Sequence, residues 1–122
     1  MAVSASFLEF VVGQMAGLPG LSHRRMFGGV GFYSGAVFFG VADNDTHFFK
    51  VDDKTRPKYV RRKMPPFAPV PGQAPMKRYY QVPPSVLEDA DAVASWGKEA
   101  VGVGAAGAAR KPSGRKARRT RR

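Results

Sequence analysis

The sequence predicts a single small α+β domain: a mostly antiparallel sheet of four to five strands, flanked by helices at both ends and one between strands. Three observations carry that expectation. Stretches rich in Phe, Tyr and Val over residues 22–51 are interrupted by Gly28-Gly29 and broken by short turn signals at Ser34-Gly35 and Asp43-Asn44-Asp45. Apolar residues at three- and four-residue spacing occur at the two ends of the foldable region. The length of 122 residues fits one domain with little left over, and 43% hydrophobic residues, nine of them Phe, suffice for an independent core.

Taken in order, Ser6-Phe7-Leu8-Glu9 reads as a capping box. Phe7, Phe10, Val11, Gln14 and Met15 then continue a helix over about residues 6–16, stopped by Gly17 and Pro19-Gly20. Residues 22–33 read as one strand, with Gly28-Gly29 and Gly31 marking a bulge or close backbone approach. Ser34-Gly35 turns into a strand over 36–42, and Asp43-Asn44-Asp45 turns into another over 46–51. The doublets Phe38-Phe39 and Phe48-Phe49 place one aromatic on each sheet face, because strand side chains alternate.

Asp52 or Asp53 is positioned to cap a second helix over roughly 53–62, with Arg61, Arg62 and Lys63 at its negative end. Pro65, Pro66, Pro69, Pro71 and Pro75 hold an extended loop before a strand over about 76–82. A last helix runs from about Ala90, capped by Asp89, to near Ala100. Ala90, Val93, Ala94, Trp96, Gly97, Ala100 and Val101 form its inner face, and Gly102, Gly104 and Gly107 are expected to end it. The domain is thus expected over residues 1–105, with a disordered basic tail over 106–122.

Charge is segregated. Of the 20 Lys and Arg, eight (Arg110, Lys111, Arg115, Lys116, Arg118, Arg119, Arg121 and Arg122) lie in the last 13 positions with no acid among them. The remaining 12 cations against 9 acids leave residues 1–109 near +3, out of a total of +11. Such a tail suits a polyanion, since each neutralised phosphate releases condensed counterion, but phosphate contacts carry no sequence information. The tail residues are therefore the candidate nucleic-acid contacts, to DNA or RNA, without specificity.

Cysteine is absent, which excludes disulfides, thiolate metal sites and thiol catalysis. The N-terminus lacks a basic leader region and carries Glu9 in its first apolar stretch. The longest uncharged run near the C-terminus, 100–109, is half the roughly 20 residues that a membrane span needs. The expectation is a cytoplasmic protein with no membrane role.

Catalytic readings find little footing. Gly28-Gly29-Val30-Gly31 lacks the Lys-Ser/Thr of a phosphate loop and is followed by Phe32-Tyr33 rather than a helix. His23 and His47 have no acid at ligand spacing and read as exposed strand-edge residues, so no metal and no cofactor are expected. Asp52 and Asp53 read as caps rather than an acid–base pair. Lys77-Arg78-Tyr79-Tyr80, with Arg24, Arg25 and Arg61-Arg62-Lys63, mixes cations and aromatics as surfaces that grip phosphates and stack bases do, though alternation sends Tyr79 or Tyr80 into the core.

Arg24-Arg25-Met26-Phe27-Gly28-Gly29-Val30-Gly31, Lys50-Val51-Asp52, Tyr80-Gln81-Val82-Pro83 and Trp96 together resemble the TfoX/Sxy N-terminal domain over about residues 6–101. The resemblance implies an α+β fold with no established enzymatic residues. It also implies a regulatory role, since founding members regulate bacterial genes for natural DNA uptake with the cyclic-AMP receptor protein. Those regulators carry a helical C-terminal domain where this sequence has its Arg/Lys tail, so the expectation is a stand-alone N-terminal-type domain. The function expected is a non-enzymatic regulatory protein that associates with a protein partner, from the transcription machinery by resemblance, and non-specifically with nucleic acid through its tail. The alternative is a homodimeric structural or interaction module with no nucleic-acid role.

Overall fold

A computed structural model describes residues 3–26, 28–70 and 72–120, with side chains through residue 107. Its sheet has six strands, all antiparallel, in the order β1-β2-β3-β4-β6-β5. The class matches the expectation; the strand count is higher, for two reasons. The stretch read as one bulged strand is a hairpin, β1 (Leu21–Met26) and β2 (Gly29–Ser34), paired from Leu21↔Ser34 to Met26↔Gly29. Gly28 makes the two-residue turn possible at φ 80°, a conformation that costs glycine little. The other addition is β5 (Pro66–Phe67), a two-residue edge strand inside the proline-rich loop, where a missing N–H is tolerated.

The helices start from caps supplied by the rest of the fold. In α1 (Ala5–Gln14) the cap is Ser4, not Ser6: its hydroxyl accepts from the Phe7 N–H at 3.2 Å. Ser4 is fixed there because its own N–H donates to the Asp45 carboxylate at 2.7 Å, from the turn between β3 (Val37–Asp43) and β4 (Thr46–Lys50). That turn holds Asn44 and Asp45 at φ 51° and 52°, the hairpin geometry these residues tolerate.

The second helix, α2 (Arg56–Arg61), is shorter than expected. Asp52 acts one turn earlier: its carboxylate accepts the N–H groups of Lys54 and Thr55, both at 3.0 Å, while the Thr55 hydroxyl accepts from Asp52 N–H. After β6 (Met76–Gln81) a short unanticipated helix, α3 (Pro84–Leu87), begins at the two prolines, which fit a helix start.

The final helix, α4 (Ala90–Thr120), is capped by Asp89 as expected, whose carboxylate accepts from Asp91 and Ala92. Its buried stripe is Val93, Gly97, Ala100 and Gly104, while Ala90 is exposed. The helix does not dissolve at its glycines. Gly104 lies so close to β3 that a Cβ there would sit 2.6 Å from the Phe38 carbonyl oxygen. The glycine is a contact surface and not a stop, so α4 continues past Ala100, and the expected boundary at 105/106 falls within it. The side chains of Arg110, Lys111, Arg115, Lys116, Arg118 and Arg119, together with Arg121 and Arg122, lie outside the described residues.

The main core lies between the sheet and the α1 and α4 helices. It gathers Val11, Met15, Leu18, Val30, Phe32, Phe39, Phe49, Tyr59, Tyr80, Val82, Val93 and Ala100, all buried. Burying an aliphatic or aromatic side chain of this kind contributes about 1.5–3 kcal/mol, so this face holds most of the fold's stability.

Candidate interaction surface

The opposite face of the sheet carries a second, smaller cluster. Val41, Phe48 and Tyr79 are buried there, with Phe38 and Phe67 packed against them. Every member comes from a strand. The doublets divide as expected, with Phe39 and Phe49 in the main core and Phe38 and Phe48 on this side. For Phe38 and Phe39 the division depends on a bulge. Pairing runs Phe32↔Gly40 and then Tyr33↔Phe38, leaving Phe39 as the extra residue. Gly40 abuts Phe49 and Phe32 of the main core, so strict alternation would have put Phe38 inside and Phe39 outside. The bulge reverses them.

Rings run across this face in a chain. Tyr33 and Phe38 are 5.2 Å apart between centroids, Phe38 and Tyr79 6.0 Å, Tyr79 and Phe67 6.4 Å, and Phe67 and Phe48 4.9 Å. These separations suit tilted and edge-on aromatic contacts. Cations cover its upper side: the Arg24 guanidinium is 5.4 Å from the Tyr33 centroid and the Lys50 ammonium 5.7 Å from that of Tyr79. Burial pushes the Tyr79 phenol above its ordinary pKa, outweighing the lowering by Arg78. Both Tyr79 and Tyr80 prove to be buried, on opposite faces.

A second concentration of charge and aromatic surface joins α2 to α4. The Lys58 ammonium lies 4.0 Å from the Trp96 ring centroid and Arg62 lies 5.2 Å from it, while Tyr59 meets the ring edge-on at 4.9 Å. Lys58 also pairs with Glu99 at 2.6 Å. Lys58, Tyr59 and Arg62 of α2 thus all pack on the α4 tryptophan, which makes the cluster a clamp between helices.

The residues weighed for acid–base or metal chemistry are otherwise engaged. His47 is not an exposed edge residue: β4 is an interior strand, and its imidazole is buried between Phe32 and Phe49, with neither ring nitrogen hydrogen-bonded within the protein. Desolvation pushes its pKa down to about 3, so the ring is neutral. His23 is exposed on the edge strand β1, as expected. Partial burial pushes the Asp52 carboxyl up, but the N–H donors of Thr55 and Lys54 outweigh it and hold the group below its usual range. Among the described residues no three His, Asp or Glu side chains converge on a metal-sized site, and no helix is long and apolar enough to cross a membrane.

The motif residues fall into place as builders of this framework. Arg25 is exposed and Met26 half-buried on β1, Gly28 forms the turn and Gly29 sits 2.6 Å (as Cβ) from the Ala42 carbonyl; Phe27 lies outside the described residues. Lys50 ends β4, Val51 and Tyr80 are in the main core, and the Asp52 carboxylate closes the turn that leads into α2. Val82 donates its N–H to the His47 carbonyl at 2.8 Å, Pro83 precedes α3, and Trp96 closes the clamp. The family model for the TfoX N-terminal domain matches residues 13–103, about three-quarters of the chain. The chain belongs to the TfoX N-terminal domain family. No curated protein matched it in a sequence search. In this TfoX-type domain Gly28, Gly29, Val51, Tyr80, Val82 and Trp96 sit at turns, close approaches and packed positions, so what the family match describes is chiefly the fold.

Proposed function

We propose that this TfoX-type protein is a non-enzymatic regulatory or interaction protein of the cytoplasm, whose domain engages a protein partner while the basic C-terminal segment holds DNA or RNA without sequence preference. One observation carries the reading: eight cations and no acid in residues 110–122, against a net charge near +3 for everything before them. A polyanion contact is the use that such a distribution serves best. The neutral, walled-in His47 and the Asp52 carboxylate, taken up by backbone N–H groups of its own turn, support the non-enzymatic part. By family, the partner belongs to the transcription machinery.

The test is titration of the full chain against duplex DNA over a salt series, beside a variant with the eight tail cations changed to Gln. Engagement of six to eight phosphates gives a slope of log affinity on log salt of roughly −5 to −7. The variant should lose most of that slope; equal binding by both proteins overturns the assignment.

A further inference from the structure

We propose that the helix-free face of the sheet is a seat for unpaired bases, so that the protein binds single-stranded nucleic acid in a manner the tail alone cannot provide. The proposal deepens the polyanion reading above and rests on it for the initial electrostatic encounter.

The argument starts from the ring chain. Tyr33 on β2, Phe38 on β3, Tyr79 on β6 and Phe67 on β5 step across the sheet in ring contact, and from Phe67 the chain doubles back to Phe48 on β4. From β2 to β5 there are four inter-strand steps, roughly 19 Å at the usual spacing, similar in reach to four-stranded sheets that stack two or three bases on strand aromatics. Phe48 and Tyr79 are nearly covered, at 7% and 8% exposure, and form the floor. Tyr33, Phe38 and Phe67 keep part of their surface open, two on β2 and β3 and one on the edge strand β5.

Charge selects the occupant. Arg24 and Lys50 stand over two of the rings, and alternation from Tyr79 puts the exposed Lys77 on the same face. By the same rule, among the described strand residues the acid on this face is Asp43, at the far end of β3 beside the Asn44–Asp45 turn. Cations interleaved with flat rings fit a ligand that alternates phosphates and planar bases. A duplex hides its base faces and cannot use the rings. The bulge that sends Phe38 outward supplies one of these rings.

The experiment uses the full chain and four probes of equal length: a mixed-sequence single strand of DNA, the same strand as RNA, an abasic sugar-phosphate strand, and a duplex. Stacking predicts that the abasic strand binds about tenfold or more weaker than the base-bearing strands. It also predicts that Tyr33→Leu on β2 and Phe67→Leu on the edge strand β5 each weaken single-strand binding about tenfold and leave duplex binding unchanged. Thermal unfolding confirms that each variant is folded, and failure of one leaves the other to decide. Where the abasic strand is the weaker, the tighter of the RNA and DNA strands names the source of the strand. Equal affinity for abasic and base-bearing strands overturns the proposal, as do two folded variants with unaltered binding. Failure of the tail reading has a different signature: the eight-Gln variant would then bind duplex as the parent does.

Discussion

Lys58 holds its ammonium 4.0 Å from the centroid of the Trp96 indole and 2.6 Å from the Glu99 carboxylate, so one cation fastens α2 to two successive turns of α4. Both Lys58 and Glu99 are partly solvated, which limits the ion pair itself to a small contribution. The ring contact adds about 0.5–1 kcal/mol. Lys58→Met is therefore expected to cost about 1 kcal/mol by urea unfolding, and clearly less in a Trp96→Leu background. Identical costs in the two backgrounds would show that the ring and the cation act independently.

Acid should unfold this protein through His47. Its folded-state pKa is about 3, against about 6.5 for an unfolded chain. Between those values the unfolded state binds a proton that the native state refuses, so stability falls as pH drops from 6.5 towards 3, by roughly 1 kcal/mol per pH unit. Asp52, whose pKa is also depressed, acts in the same direction but nearer pH 4 and below. Unfolding midpoints between pH 5 and 7 isolate the histidine. His47→Leu should flatten the curve there; an unchanged slope would place the acid sensitivity elsewhere.

Two glycines of α4 should respond oppositely to alanine. At Gly102 a Cβ meets nothing within 4 Å, so Gly102→Ala gains up to about 1 kcal/mol of helix propensity. At Gly104 it meets the Phe38 carbonyl at 2.6 Å and Val37 at 2.8 Å, and the helix must shift. Gly104→Ala is expected to cost about 1–3 kcal/mol. Thermal melts of the two single variants decide the matter.

Lys63 follows α2 at φ 61°, with its N–H bonded to the Val60 carbonyl and that of Met64 to Tyr59. This is the left-handed helix end that glycine fills without strain. Lys63→Gly should raise stability by about 0.5–1 kcal/mol, whereas Lys63→Val should lower it by at least as much. Chemical denaturation measures both.

The features legible in the sequence were those with a short-range cause. The Phe doublets, the turns at Gly35 and Asn44-Asp45, the Asp89 cap and the α+β class each follow from a few neighbouring residues. What escaped depends on distant partners. Ser4 became the cap of α1 because Asp45, 41 residues away, holds its backbone. Gly104 reads as a helix breaker until β3 is known to lie against it. His47 is charge-bearing by type, and nothing local says that β6 will pair along β4 and enclose it. The surface on the far side of the sheet was half visible: Arg24, Tyr79 and the Phe doublets were evident, but the bulge that sorts Phe38 from Phe39 is a property of the β2–β3 pairing.

The strand order has a consequence for how the chain matures during synthesis. The first four strands are nearest neighbours joined by two-residue turns, so they can zip together while the rest is still being made. The outer edge of β4 then waits for residues 76–81, some 25 positions later, to close it. Over that interval Phe48 and Phe49 face water along an unpaired edge, an arrangement that favours association with other chains. Any truncation before Tyr79 would leave that edge permanently open, and the fragment should collect in the insoluble fraction while the complete chain does not.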